Sequence, residues 1–272
     1  MKHIIKYTIP EIKTKDYIVY KNIIIFKPKF NKYIHDFYPL ILSNNISHLI
    51  FGDFNNLDWN IEVYVDMSKK SCQHRRYSKI NRFGIPIVYL PNQIERIRFG
   101  HYFNQSIELL FQVNTQIKFL EFGSSFKKTI DCLSSTQLIK LILGCWFNSK
   151  VNNLPSTLEY LEFGELFNQN VDNLPNGLKY IIFGHKFNMN VDKLPSTIIK
   201  IVFGKCFNKS IDDLPNSVHK IYFPKSKSDF TQSLDNLVDS VKILELSPCY
   251  KLPINILPNN LEKIICSPKC IK

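Results

Sequence analysis

Leu158-Glu159-Tyr160-Leu161-Glu162-Phe163-Gly164, Leu178-Lys179-Tyr180-Ile181-Ile182-Phe183-Gly184 and Ile198-Ile199-Lys200-Ile201-Val202-Phe203-Gly204 are one phrase written three times, twenty residues apart. Each copy is followed by Phe-Asn (167–168, 187–188, 207–208), then Val or Ile with Asp (171–172, 191–192, 211–212), then Leu-Pro (174–175, 194–195, 214–215). A fixed short period marks a solenoid, in which each coil buries its apolar edge only against its neighbours. Within a copy, residues 161 and 163 alternate with 160 and 162, the period-two signature of a strand with one buried face. Strands that return to the same edge once per period pair in parallel.

The template extends in both directions. Downstream it fits Val218, Ile221 and Phe223, then Val241, Leu244 and Leu246, then Leu261, Ile264 and Cys266, with Pro224, Ser247 and Ser267 in the glycine slot. Upstream it fits Leu138 to Gly144, Ile117 to Gly123, Ile94 to Gly100 and Ile46 to Gly52, and residues 24–26 suit a truncated first coil. The anchors Phe51 and Phe99 are 48 residues apart, so residues 53–89 are expected to hold a degenerate coil plus an insertion. Residues 17–26 suit a capping strand at the N-terminal end. The chain divides into residues 1–89, an N-terminal cap with irregular first repeats and a basic insertion, and residues 90–272, a regular array continuous with it.

This pattern resembles the FNIP repeat, whose motif L-P-x-x-[LIV]-x-x-[LI]-x-F-G-x-x-F-N is matched strongly over about residues 90–272 and weakly over 23–52. The resemblance implies a leucine-rich-repeat-like fold and a setting in amoebae or the giant viruses that infect them. Some members carry an F-box and select ubiquitin-ligase substrates; residues 1–45 show none, so partner binding is carried over and the ligase role is not. The fold expected is mainly β: a single right-handed leucine-rich-repeat-like solenoid of about twenty-residue coils, nine to eleven in number. It has one parallel sheet and short 3₁₀ or extended outer segments. The absence of alanine argues against helix-rich repeats.

Several roles are assigned by position. The recurrent glycine leaves the strand where positive φ or a tight bend is expected. The Phe of Phe-Asn should form a second buried column through Phe103, Phe126, Phe147, Phe167, Phe187, Phe207 and Phe230 to Tyr250. The following Asn should bond backbone groups of its own turn. Asp131, Asp172, Asp192 and Asp212, with Asn152 interrupting, form an acidic column. Its carboxylates stack about 5 Å apart, the separation of a retaining glycosidase pair. A feature copied in every coil reads better as a turn cap accepting backbone N–H bonds, and no catalytic triad or phosphate-binding loop accompanies it.

Net charge is +12, yet the chain has only five arginines, all between residues 75 and 98, amid abundant Lys, Asn, Ile and Phe. That composition fits an AT-rich coding sequence as well as selection for anions. The seven cysteines form no regular framework, and Cys266-x₃-Cys270 lacks a second metal-ligand pair. No signal peptide or long apolar run is evident, so a reduced, cytoplasmic setting is expected, the host cytoplasm for a viral member. No cofactor, metal or membrane partner is implied.

Two candidate surfaces remain. The outward row of the sheet, by alternation, contains Arg96, Arg98, Phe119, Lys140, Tyr160, Tyr180, Lys200, Lys220 and Tyr222. Exposed aromatics interleaved with lysines suit capture of another protein, with Tyr160 and Tyr180 as anchors whose replacement should spare stability. The alternative is an anion or nucleic-acid site in the basic region 69–98, built on Lys69, Lys70, Arg75, Arg76, Lys79 and Arg82. Positive charge gathered on the sheet face would favour that alternative; scattered charge favours a protein partner. A monomer is expected, with edge-mediated dimerisation as the competing arrangement.

Overall fold

The computed structural model describes residues 12–27, 34–51, 91–111 and 116–266. The three copies of the phrase form β8 (Tyr160–Glu162), β9 (Tyr180–Ile182) and β10 (Lys200–Val202), paired parallel with Leu161, Ile181 and Ile201 in register. The same register runs through β4 (His48–Phe51), β5 (Arg96–Arg98), β6 (Phe119–Glu121) and β7 (Lys140–Ile142) on one side. On the other side it continues through β11 (Lys220–Tyr222), β12 (Ile243–Glu245) and β13 (Lys263–Ile265). The result is one 13-stranded sheet in sequence order. Little helix is present: α1 (Tyr38–Ser43) lies before β4, and 3₁₀ turns at Leu109–Phe111 and Asp131–Ser135 lie on the outer path. No helix among the described residues is long and apolar enough to cross a membrane.

The N-terminal end differs from the single capping strand expected over residues 17–26. That stretch is a hairpin, β2 (Tyr17–Tyr20) antiparallel to β3 (Ile23–Phe26), with β1 (Ile12–Lys13) antiparallel outside it. β3 then begins the parallel series by pairing with β4. A two-residue link permits only antiparallel return, which is why the first pair breaks the pattern. β4 pairs directly with β5; residues 53–89, where a degenerate coil plus an insertion is expected, lie outside the described residues.

The core consists of two stacked ring columns. Phe163, Phe183 and Phe203 stack at 5.7 and 5.8 Å between centroids. The Phe-Asn column stacks at 6.0–6.2 Å from Phe103 through Phe230 and ends on Tyr250 at 5.8 Å. Within a coil the two columns meet face to face, as at Phe163–Phe167 (3.7 Å) and Phe183–Phe187 (3.8 Å). Both spacings exceed the strand separation of about 4.8 Å, so adjacent coils lie farther apart at the rings than at the strands.

The recurrent glycine opens a tight bend, as expected, closed by the N–H of the Phe three residues on, as at Gly164–Phe167 and Gly184–Phe187; it also serves a purpose that was not expected. None of Gly123, Gly144, Gly164, Gly184 and Gly204 has positive φ. A Cβ at Gly144, Gly164, Gly184 or Gly204 would instead lie 1.8–1.9 Å from the carbonyl oxygen of the preceding glycine. The coils touch backbone to backbone there. Where Pro224 occupies the slot, the next core ring, Phe230, comes seven residues after Phe223 rather than four. The longer turn takes a different path.

The asparagines also act between coils rather than within their own turn. The Oδ1 atoms of Asn148, Asn168 and Asn188 accept from the backbone N–H of Asn168, Asn188 and Asn208 at 2.8–2.9 Å. A hydroxyl ladder that the sequence reading missed runs parallel to it. Thr157, Thr197, Ser217 and Ser240 each donate to a carbonyl of the preceding coil, Leu138, Leu178, Ile198 and Val218. Its signal was present: Ser or Thr recurs immediately before the first apolar anchor.

Candidate functional site

The outward sheet face is built by the first and third residues of each three-residue strand. One column reads Arg96, Phe119, Lys140, Tyr160, Tyr180, Lys200 and Lys220 through β5 to β11. The strands bring all nine residues of the expected row onto one surface. Their exposure is unequal, and the expectation of a free aromatic anchor fails at Tyr160, while Tyr180 is half-buried. Tyr160 is 7% exposed. Its hydroxyl donates to Glu162 Oε2 at 2.9 Å, Lys140 Nζ sits 4.2 Å above its ring, and Tyr180 lies 6.5 Å away, tilted. Tyr160, Ile182 and Val202 form a second apolar cluster, with half-buried Ile142, Tyr180 and Tyr222 against it. Alternation correctly gave the direction of these side chains. Cover came from long neighbours leaning across strands only about 4.8 Å apart.

Several cations of the face lie over rings or beside carboxylates. Arg96 stacks on Phe119 at 3.8 Å and Lys200 on Tyr222 at 4.9 Å. Arg98 pairs with Glu121 at 3.3 Å. Burial, and then the neighbouring Glu162, pushes the Tyr160 phenol far above its ordinary range; burial and Glu245 push Tyr222 in the same direction. Burial first, then Lys220, lowers Lys200. Beside the strands, in-register pairs neutralise one another: Lys118–Glu95 and Lys179–Glu159 at 2.9 Å, and Lys242–Glu262 at 3.1 Å. From β5 to β13 the two outward columns hold six cations against Glu121, Glu162 and Glu245, a minor share of the net charge of +12.

The other candidates fare differently. Lys69, Lys70, Arg75, Arg76, Lys79 and Arg82 lie outside the described residues. The acidic column does not cap the turns with its carboxylates as expected. The backbone N–H of Asp172 donates to Asn170 Oδ1 and that of Asp212 to Ser210 Oγ, so the capping acceptor sits two residues earlier. The Asp172 carboxylate accepts from Asn170 and faces Lys193 at 3.6 Å. One Asp212 carboxylate oxygen is buried without a partner, close to a depression of about 130 Å³ bounded by Asn190, Asp192, Ser210 and Asp213. That is below the roughly 300–1,000 Å³ of small-molecule sites. Cys132 is held as an inert thiol, pushed up to about 11 by burial.

These features define a leucine-rich-repeat-like β-solenoid with coils of about twenty-one residues. The FNIP repeat family model matches residues 167–206, bearing out the motif resemblance over two coils. Among solved structures the chain is similar to CroV588, a circular leucine-rich-repeat protein from a giant virus, with 26% identity and a TM-score of 0.61. The match covers 93% of this chain and 41% of that one, so the chain spans about two fifths of the structure it resembles. No curated protein matches.

Proposed function

We propose that this chain is a non-enzymatic scaffold that binds another protein across the outward face of its sheet. The observation that carries the reading is the second apolar cluster. Tyr160, Ile182 and Val202 lock the middle of an exposed face whose flanking side chains include Tyr180, Lys200 and Lys220. A face already ordered before contact loses little side-chain entropy on binding, which leaves more of the contact energy as affinity. Repeat solenoids present such surfaces rather than enclose reactions. The FNIP match and the leucine-rich-repeat neighbour support the same class.

The test is directional crosslinking. A photoreactive amino acid is placed at Tyr180, on the face, or at Lys186, on the exposed turn. Expression in cells is followed by irradiation and mass spectrometry of the adducts. A partner joined from the face and not from the turn supports the proposal. Equal adducts from both positions, or adducts only from Lys186, would overturn it.

A further inference from the structure

We infer that the step between Lys200 and Lys220 is the docking point for a carboxylate-bearing segment of the partner protein. This rests on the reading of the sheet face above. Four in-register pairs elsewhere join opposite charges: Arg98 meets Glu121, Lys118 meets Glu95, Lys179 meets Glu159 and Lys242 meets Glu262. Between β10 and β11 like meets like. Lys200 and Lys220 are direct partners in the parallel ladder, and neither pairs with a carboxylate among the described residues. Like charges directly opposite on neighbouring strands oppose pairing; burial first, and then this repulsion, lowers the affinity of Lys200 for its proton. Around them the face offers Tyr180, Val202 and Tyr222, none of which neutralises an ammonium. A carboxylate arriving from outside can accept from both lysines at once.

The occupant's chemistry follows from what the face lacks. Its strand N–H groups are committed to the parallel ladder, so there is no nest of free backbone donors and no arginine fork at this step for a phosphate. Bases of a single-stranded nucleic acid need open ring faces for stacking. Here the Tyr222 ring is covered by Lys200 and the Phe119 ring by Arg96. Two ammoniums beside half-buried apolar side chains suit Asp or Glu in an extended protein segment.

The experiment is fluorescence anisotropy on the full chain with a fluorescein-labelled Glu-Ser repeat peptide. A Gln-Ser peptide and oligothymidylate serve as comparisons. The native protein should bind the Glu peptide, lose it as salt rises, and ignore the Gln peptide. The Lys200→Ala/Lys220→Ala variant should bind about tenfold more weakly or worse. Lys186→Ala/Lys209→Ala, on exposed turns, should bind as the native protein does. Lys220→Glu should abolish binding while melting no lower than native, because it supplies an internal partner for Lys200. Unchanged affinity in the double alanine variant, equal binding of the Gln peptide, or tighter lysine-dependent binding of oligothymidylate each overturns the inference. Failure of the native protein to bind the Glu peptide also overturns it; crosslinking from Tyr180 then decides whether the broader reading survives.

Discussion

Replacing Gly184 by Ala tests the backbone contact that sets the distance between coils. The added Cβ would lie 1.9 Å from Gly164 O and 2.5 Å from its carbonyl carbon, where real Cβ atoms keep at least 3.0 Å. Both neighbours are main-chain atoms, so no side chain can swing away. The two turns must part by roughly 1 Å. Two hydrogen bonds span that joint, Phe163 N–H to Ile182 O and Lys186 N–H to Glu165 O, each 2.8 Å. Weakening them costs about 1 kcal/mol each. Opening the ring stacks by up to 1 Å forfeits a quarter to a half of their contact energy, about another 1 kcal/mol. The total of about 3 kcal/mol lowers Tm by roughly 6–12 °C for a chain of this size. Thermal melts followed by circular dichroism measure it, with Lys186→Ala as the neutral comparison. Hydrogen exchange should show the new opening at Phe163 and Lys186. A melt within about 2 °C of native would show that the coils do not rest on their glycines.

Three further outcomes are expected. Asn188→Ala removes the acceptor of the Asn208 N–H and should cost about 1–2 kcal/mol in urea melts, whereas Asn188→Asp should keep most of it; equal losses would remove the ladder's role. Phe187→Ala, at a fully buried ring, should cost about 3–5 kcal/mol, while Trp146→Ala at a 41% exposed ring should cost under about 1 kcal/mol. The Tyr160 phenol is raised in the folded state, so its contribution is complete below its unfolded value near 10 and is lost as pH climbs above it. Tyr160→Phe should therefore flatten the fall in Tm between about pH 9 and about pH 11; an unchanged slope would place the phenol in water.

Much of this was legible because a solenoid repeats locally. Phe163, Phe183 and Phe203 announced their shared column by spacing alone, and Phe167, Phe187 and Phe207 announced the second. Glycine was read only in part, and asparagine was noticed but misassigned. Their periodicity said that they mattered, while a single coil suggested reasons internal to a turn. The partner of Asn188 is a backbone N–H twenty residues on, and the contact of Gly184 is a carbonyl twenty residues back. The hydroxyl ladder of Thr197 and Ser217 went unread for the same reason. The first strand pair escaped the template because residues 12–26 turn back through a hairpin instead of completing a coil.

The face shows where linear reading stops. Period and alternation told which side chains point outward, because those follow from the geometry of one strand. Whether an outward side chain meets water depends on what the adjacent strands lean over it, as Lys140 and Glu162 do to Tyr160. Likewise the sequence held Lys200 and Lys220 as two ordinary lysines. Only pairing β10 with β11 in register set two like charges side by side with no carboxylate between them. Coil, column and direction belong to the chain; cover and unbalanced charge arise between coils, from atoms that share no local stretch of sequence.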